Sequence, residues 1–131
     1  MRAPDLHHDG WRLDDGEQRH REAPATFHIP DLALRKMLRV GDYAKLIFEI
    51  TVEGDEYPAV ERMWVIIRGR TPDGYVGMLA NEPHSVAEND EFWYGTEFPF
   101  EYRHIIAVEP GDAESVAAAK APVPIPWDRS T

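Results

Sequence analysis

The sequence predicts an α+β, mainly β chain: a small, strongly bent antiparallel sheet or partly open barrel of about five strands, with a short N-terminal helix and a short C-terminal helix. Three observations predict it. Residues 44–53 alternate apolar and polar side chains with the two-residue period of a half-buried strand. Glu61-Arg-Met-Trp-Val-Ile-Ile67 and Tyr75-Val-Gly-Met-Leu-Ala-Asn-Glu-Pro83 read as two paired strands ending in a polar corner. Between them, Pro72-Asp-Gly74 is a strong turn signal, with Pro at the second turn position and Gly where a positive φ is needed.

Taken in order, residues 1–25 carry charges, His7, His8 and His20, with little apolar material beyond Leu6, Trp11 and Leu13. They are expected to form a loose arm, with Trp11 the residue able to dock it on the body, since an indole is costly to leave in water. Pro30 at a helix start, Asp31 in the first turn and Leu34, Met37 and Leu38 at helical spacing read as a short amphipathic helix ended by Gly41. Ala44, Leu46, Phe48, Ile50 and Val52 form the buried face of the first strand, with Ile47 the one apolar residue on its wet face.

After the reversal at Glu53-Gly-Asp-Glu-Tyr-Pro58, residues 60–70 place Glu61, Met63, Val65 and Ile67 on one face and Arg62, Trp64, Ile66 and Arg68 on the other. Two partly apolar faces mark a central strand. Residues 75–80 form the next, where Gly77 marks a bulge or a close approach of backbone. A short strand is expected near Phe92 to Tyr94 and a last one at His104 to Val108, stopped by Pro110-Gly111. Asp112 caps an alanine-rich helix to Ala121 with only Val116 to bury, and Pro122, Pro124 and Pro126 make an extended, flexible tail ending at Trp127.

A chain of 131 residues, 43% apolar, suits one domain with a modest core. The expected division is a loose arm over 1–25, a compact β-rich domain over 26–110, and a short helix with a Pro-rich tail over 111–131. With no cysteine, a disulfide framework, a thiolate metal site and a cysteine nucleophile are all excluded. The N-terminus lacks the apolar stretch of a signal peptide, and no apolar run approaches the roughly 20 residues that span a bilayer. The expectation is a soluble, cytoplasmic protein. Net charge is −10, and Glu82 to Glu114 holds nine carboxylates against the single base Arg103. Such a surface repels phosphate backbones and anionic lipid, so neither nucleic acid nor membrane is expected as a partner. A macromolecule drawn to it is a basic protein; the plainer reading is a solvated acidic face.

The chemistry-bearing residues each have two readings. His7-His8-Asp9 offers metal donors, but adjacent ligands without a third partner, and no H-E-x-x-H spacing, lead us to expect no metal and no cofactor. Glu61 points towards the core with Met63 and Val65, and a buried carboxylate must find donors or be neutralised. It is either a general acid or base or, as we prefer, an acceptor for a neighbouring loop near Asn81. Asn81-x-Pro83 reads first as a turn, and Trp64 with Phe92-Trp93-Tyr94 reads as core aromatics or as the lining of a groove. His84 and His104 are candidate proton donors near the sheet. No residue is assigned as catalytic. The candidate binding set is Glu61, Trp64, Tyr75, Asn81, Pro83, His84 and Trp93.

Glu61-Arg-Met-Trp64, Gly77-Met-Leu79, Asn81-x-Pro83 and Gly41-Asp-Tyr-Ala-Lys-Leu46 together resemble the YegJ-like family of small bacterial domains of unknown function (domain of unknown function family 2314). In that family a phrase like E-x-M-W-V is followed by G-x-L-x-N-x-P. The resemblance spans Arg39 to Val108 and departs near Phe98-Pro-Phe-Glu-Tyr-Arg-His-Ile-Ile106, which stands in place of a shorter, tryptophan-bearing close. It implies a compact, mainly β bacterial domain and no established catalytic residues.

The function expected is a non-catalytic protein-binding or regulatory module, inhibitor- or immunity-like in one version, taking a basic partner. The alternative is a small hydrolase or lyase using Glu61 with His84 or His104 around Trp64, which requires these side chains to converge within hydrogen-bond reach. Association through an exposed strand edge is a third reading, and the sequence sets no oligomeric state.

Overall fold

A computed structural model describes residues 1–85 and 92–127. The elements are α1 (Leu6–Asp9), β1 (Trp11–Leu13), α2 (Gly16–Glu22), α3 (Leu32–Arg35), β2 (Tyr43–Ile50), β3 (Ala59–Thr71), β4 (Gly74–Leu79), β5 (Glu97–Glu101), a 3-10 turn at Tyr102–His104, β6 (Ile105–Glu109) and α4 (Ala113–Lys120). All strand pairings are antiparallel in the order β1-β2-β3-β4-β5. β6 returns to β2, pairing Tyr43↔Glu109 and Ala44↔Val108, while β1 occupies the other end of the same edge through Trp11↔Ile50. Because the 3-10 turn carries β5 straight into β6, the last strand closes towards the second and the sheet bends into a nearly closed barrel.

Alternation along the strands aims the core inward. Ala44, Leu46, Phe48 and Ile50 meet Met63, Val65 and Ile67 of β3, with Leu79, Phe98, Phe100 and Ile105 completing the interior. Each of these side chains larger than alanine contributes roughly 1.5–3 kcal/mol on leaving water. On the opposite face α4 covers Ile66 of β3 and Met78 of β4, which pack against Ala119. The buried helix residues are Ser115 and Ala119, not the Val116 that the sequence singled out. Ser115 Oγ donates to Gly41 O at 2.7 Å, and Gly41 has a φ of +96° with no room for a Cβ beneath Val116.

The loose arm expected over 1–25 is instead tied down. Trp11 is 2% exposed, stacks on Phe92 at 4.3 Å and stands edge-on to Phe98. The Arg2 guanidinium grips the Asp9 carboxylate with two bonds of 2.7 Å, and Asp5 and Asp15 cap α1 and α2. The Pro-rich tail, expected to be free, also docks: Trp127 is buried, its indole N–H donates to Arg2 O at 2.9 Å, and Arg2 lies 4.6 Å over its ring. Glu97 N–H donates to Ile125 O at 2.9 Å, so the tail lies against the start of β5. The aromatic surface that each end carries explains both corrections: neither end buries it alone, and together they do.

Three further expectations are corrected. The amphipathic helix expected from Pro30 to Gly41 is the single turn α3; Leu34 on it and Met37 beyond it are 51% and 68% exposed, and Arg35 is the buried residue of the turn. Its carbonyl is taken by the Tyr75 hydroxyl at 2.6 Å and the Arg39 N–H turns to Asp42 Oδ2, so the i→i+4 ladder cannot continue. Ile47, placed on a wet face, is fully buried, and Asp14 N–H donates to its carbonyl at 2.9 Å. Phe92 to Tyr94 is not a strand. Gly95, at φ +87°, and the Trp93 N–H bond to Thr96 Oγ1 make a turn there, and β5 begins at Glu97. No helix among the described residues is long and apolar enough to cross a membrane.

Candidate functional site

The polar corner of the β3–β4 hairpin is a cleft of about 440 Å³, lined by Glu61, Trp64, Asn81 and His84 with Lys45 and Arg62. Its construction follows from where the ladder stops. The last β3–β4 pair on this side is Val65↔Leu79. Beyond it Ala80 N–H still donates to Trp64 O at 2.9 Å, and the Trp64 N–H then goes to the Asn81 side chain, donating to Oδ1 at 2.6 Å. Asn81 thus replaces one ladder bond and ends the pairing. The chain swings away through the buried Pro83, and Glu61 holds it there. Glu61 Oε1 accepts from the main-chain N–H of His84 and Oε2 from that of Ser85, both at 2.8 Å.

The aromatic floor is Trp64, which stands edge-on to Tyr43 at 6.3 Å and carries the Lys45 ammonium 5.5 Å over its ring. Arg62 stacks on Phe27 at 5.3 Å. Neither cation forms an ion pair with a carboxylate among the described residues. Lys45, Arg62, Val60 and Glu82 were not singled out from sequence. Alternation was the available signal, since Arg62 shares a face with Trp64, and Lys45 is the cross-strand partner of Trp64.

The other candidates lie elsewhere. Tyr75 is fully buried: its hydroxyl donates to Arg35 O and accepts from Leu38 N–H at 3.1 Å, and burial pushes its pKa up. Trp93 is exposed on the turn before β5 and does not line the cleft. His104 is buried on the 3-10 turn, where its Nδ1 accepts from Glu101 N–H at 2.9 Å and closes a capping box. Burial, followed by the nearby Arg103 charge, pushes its pKa down to about 4. Of the two histidines proposed to work with Glu61, one offers its main chain and the other faces a different element.

The acidic stretch is partly structural. Glu97 is buried in an ion pair with Arg68 at 3.3 Å, Glu101 pairs with Arg103, and Asp112 caps α4. Glu82, Glu109 and Glu114 remain exposed, while Glu88, Asp90 and Glu91 lie outside the described residues. No group of three or more His, Asp or Glu among the described residues is placed to hold a metal ion.

Fold and cleft together define a small, nearly closed antiparallel barrel with an opening where one central strand loses its neighbour. Compared with family models, curated proteins and solved structures, the chain matches none.

Proposed function

We propose that this chain is a cytoplasmic, non-catalytic protein-binding or regulatory module, a bacterial domain of the YegJ-like kind, which engages a basic protein through the Glu61–Trp64 cleft. The observation that carries this reading is the commitment of Glu61. Both carboxylate oxygens receive main-chain N–H groups, which makes the residue a fastener for the 81–85 segment and leaves the cleft to act by shape and contact. Trp64 supplies rigid amphipathic area of the kind that anchors interfaces. A net charge of −10 speeds encounter with a basic partner, and the exposed Glu82 at the cleft gives that charge a local focus. An inhibitor- or immunity-like role is the specific form such charge complementarity takes.

The hydrolase or lyase alternative needs an imidazole within reach of Glu61, and the bonds formed by Glu61 and His104 favour the binding reading over it. A benzophenone amino acid at position 84, beside the cleft, tests the proposal in living cells. The expected outcome is one discrete crosslinked protein with a basic isoelectric point, lost as ionic strength rises. Absence of any adduct, or an acidic adduct insensitive to salt, contradicts it.

A further inference from the structure

Within β3, main-chain groups alternate sides, and the bonds around it fix which side each residue serves. Trp64 N–H and C=O both point towards β4, to Asn81 and from Ala80. Ile67 points the other way, its N–H donating to Asp42 O and its carbonyl accepting from Gly41 N–H, each at 2.9 Å. Odd residues from Ala59 to Ile67 therefore serve the β2 ladder, and Val60 and Arg62 turn their N–H and C=O groups outward. On that side β4 has ended and the chain has been pulled aside by Glu61. The four outward groups of Val60 and Arg62 meet no hydrogen-bond partner among the described residues, and they border the cleft. Val60 is 54% exposed.

We propose that this open edge takes an extended segment of a basic protein by strand addition. The inference rests on the binding-module reading and names the form its partner takes. An unpaired edge recognises main chain, so its natural occupant is an extended strand whose N–H and C=O groups complete the ladder. The open stretch, residues 59–62, is roughly 13 Å long, room for three or four residues. Charge selects among such segments. Among the described residues no cationic side chain bonds Glu61 or Glu82 in the cleft, and the two cations that line it lie over rings, Lys45 over Trp64 and Arg62 over Phe27. With a whole-chain charge of −10, the occupant is a segment rich in Lys or Arg.

The test uses the full chain and a capped hexapeptide of alternating Lys and Val, with its Glu–Val counterpart as control. Amide exchange at Val60 and Arg62 is expected to slow at least tenfold with Lys–Val peptide, and the Glu–Val peptide to bind at least tenfold more weakly. Val60→Pro removes a donor that faces away from β2, so the ladder and the urea midpoint are retained while peptide affinity falls at least fivefold. Val60→Thr keeps the donor and the affinity. Should Val60→Pro fail to fold, exchange in the unaltered chain decides alone. Peptide binding with unchanged exchange at 60 and 62 overturns the edge assignment and leaves the binding-module reading standing. Equal binding of both peptides overturns the choice of a basic segment. Concentration-dependent sedimentation that Val60→Pro abolishes gives the edge to a second copy of this chain and overturns the peptide assignment.

Discussion

Glu61 Oε1 lies 2.8 Å from the main-chain nitrogen of His84, so the residue pair that looked most like an acid–base couple is a carboxylate fastening a backbone. With Ser85 bonded to the second oxygen, one side chain fixes where the chain goes after β4 ends.

Removing that fastener is expected to cost stability. Glu61→Ala leaves two N–H groups without their acceptor and is expected to lower unfolding free energy by about 1–2 kcal/mol, and Glu61→Gln, which keeps one acceptor, by about half as much. Urea unfolding measures both. Equal stability of all three chains would show that water replaces the carboxylate without loss.

His104 makes stability depend on pH. Its folded pKa of about 4 lies below the ordinary 6.5, so between those values the unfolded chain binds more protons and stability rises with pH. The contribution is complete above about pH 6.5 and is lost as the pH falls towards 4, by roughly 3 kcal/mol at most. Unfolding free energies from pH 4 to 7 are expected to show this slope, and His104→Gln to remove it. A slope unchanged in the variant assigns it to other groups.

Two glycines outside the left-handed region give a paired prediction. A Cβ at Gly74 falls 2.0 Å from Phe100 O, while one at Gly69 meets nothing within 4 Å. Gly74→Ala is expected to destabilise by about 2 kcal/mol or more and Gly69→Ala by less than about 0.5 kcal/mol. The sequence assigned Gly74 a positive φ. The structure gives its φ no such value and a different need, the close passage of β5.

What the sequence made legible follows from that contrast. Period-two alternation located β2, β3 and β4, because a buried face is written residue by residue into each strand. It also placed Glu61 in line with Met63 and next to the Asn81 corner. Partners distant in the chain left no local mark. Arg35 resembles a surface helix residue until Glu17, Pro30 and Tyr102 are seen around its guanidinium, and Trp127 looks like a loose end until Trp11 and Arg2 meet it. β5 carries Pro99, which removes a ladder donor and blurs the strand pattern, and which is tolerated at the end of the sheet order that β5 occupies.

The docked tail yields its own prediction. Trp127→Ala removes an aromatic that packs against Trp11 at 5.8 Å, and is expected to cost about 3–4 kcal/mol in urea unfolding. Because the indole also holds Arg2 O, amide exchange in residues 5–10 is expected to rise in the variant. A loss below about 1 kcal/mol would mean that the tail rests on the barrel without supporting it.

The most direct test needs no ligand. Residue-by-residue amide exchange along β3 of the unaltered chain is expected to alternate, with Glu61 and Met63 slow behind the β2 ladder and Val60 and Arg62 fast at the open edge. Uniform slow exchange from 60 to 63 would show the edge already occupied and would contradict a cleft shaped to receive another strand.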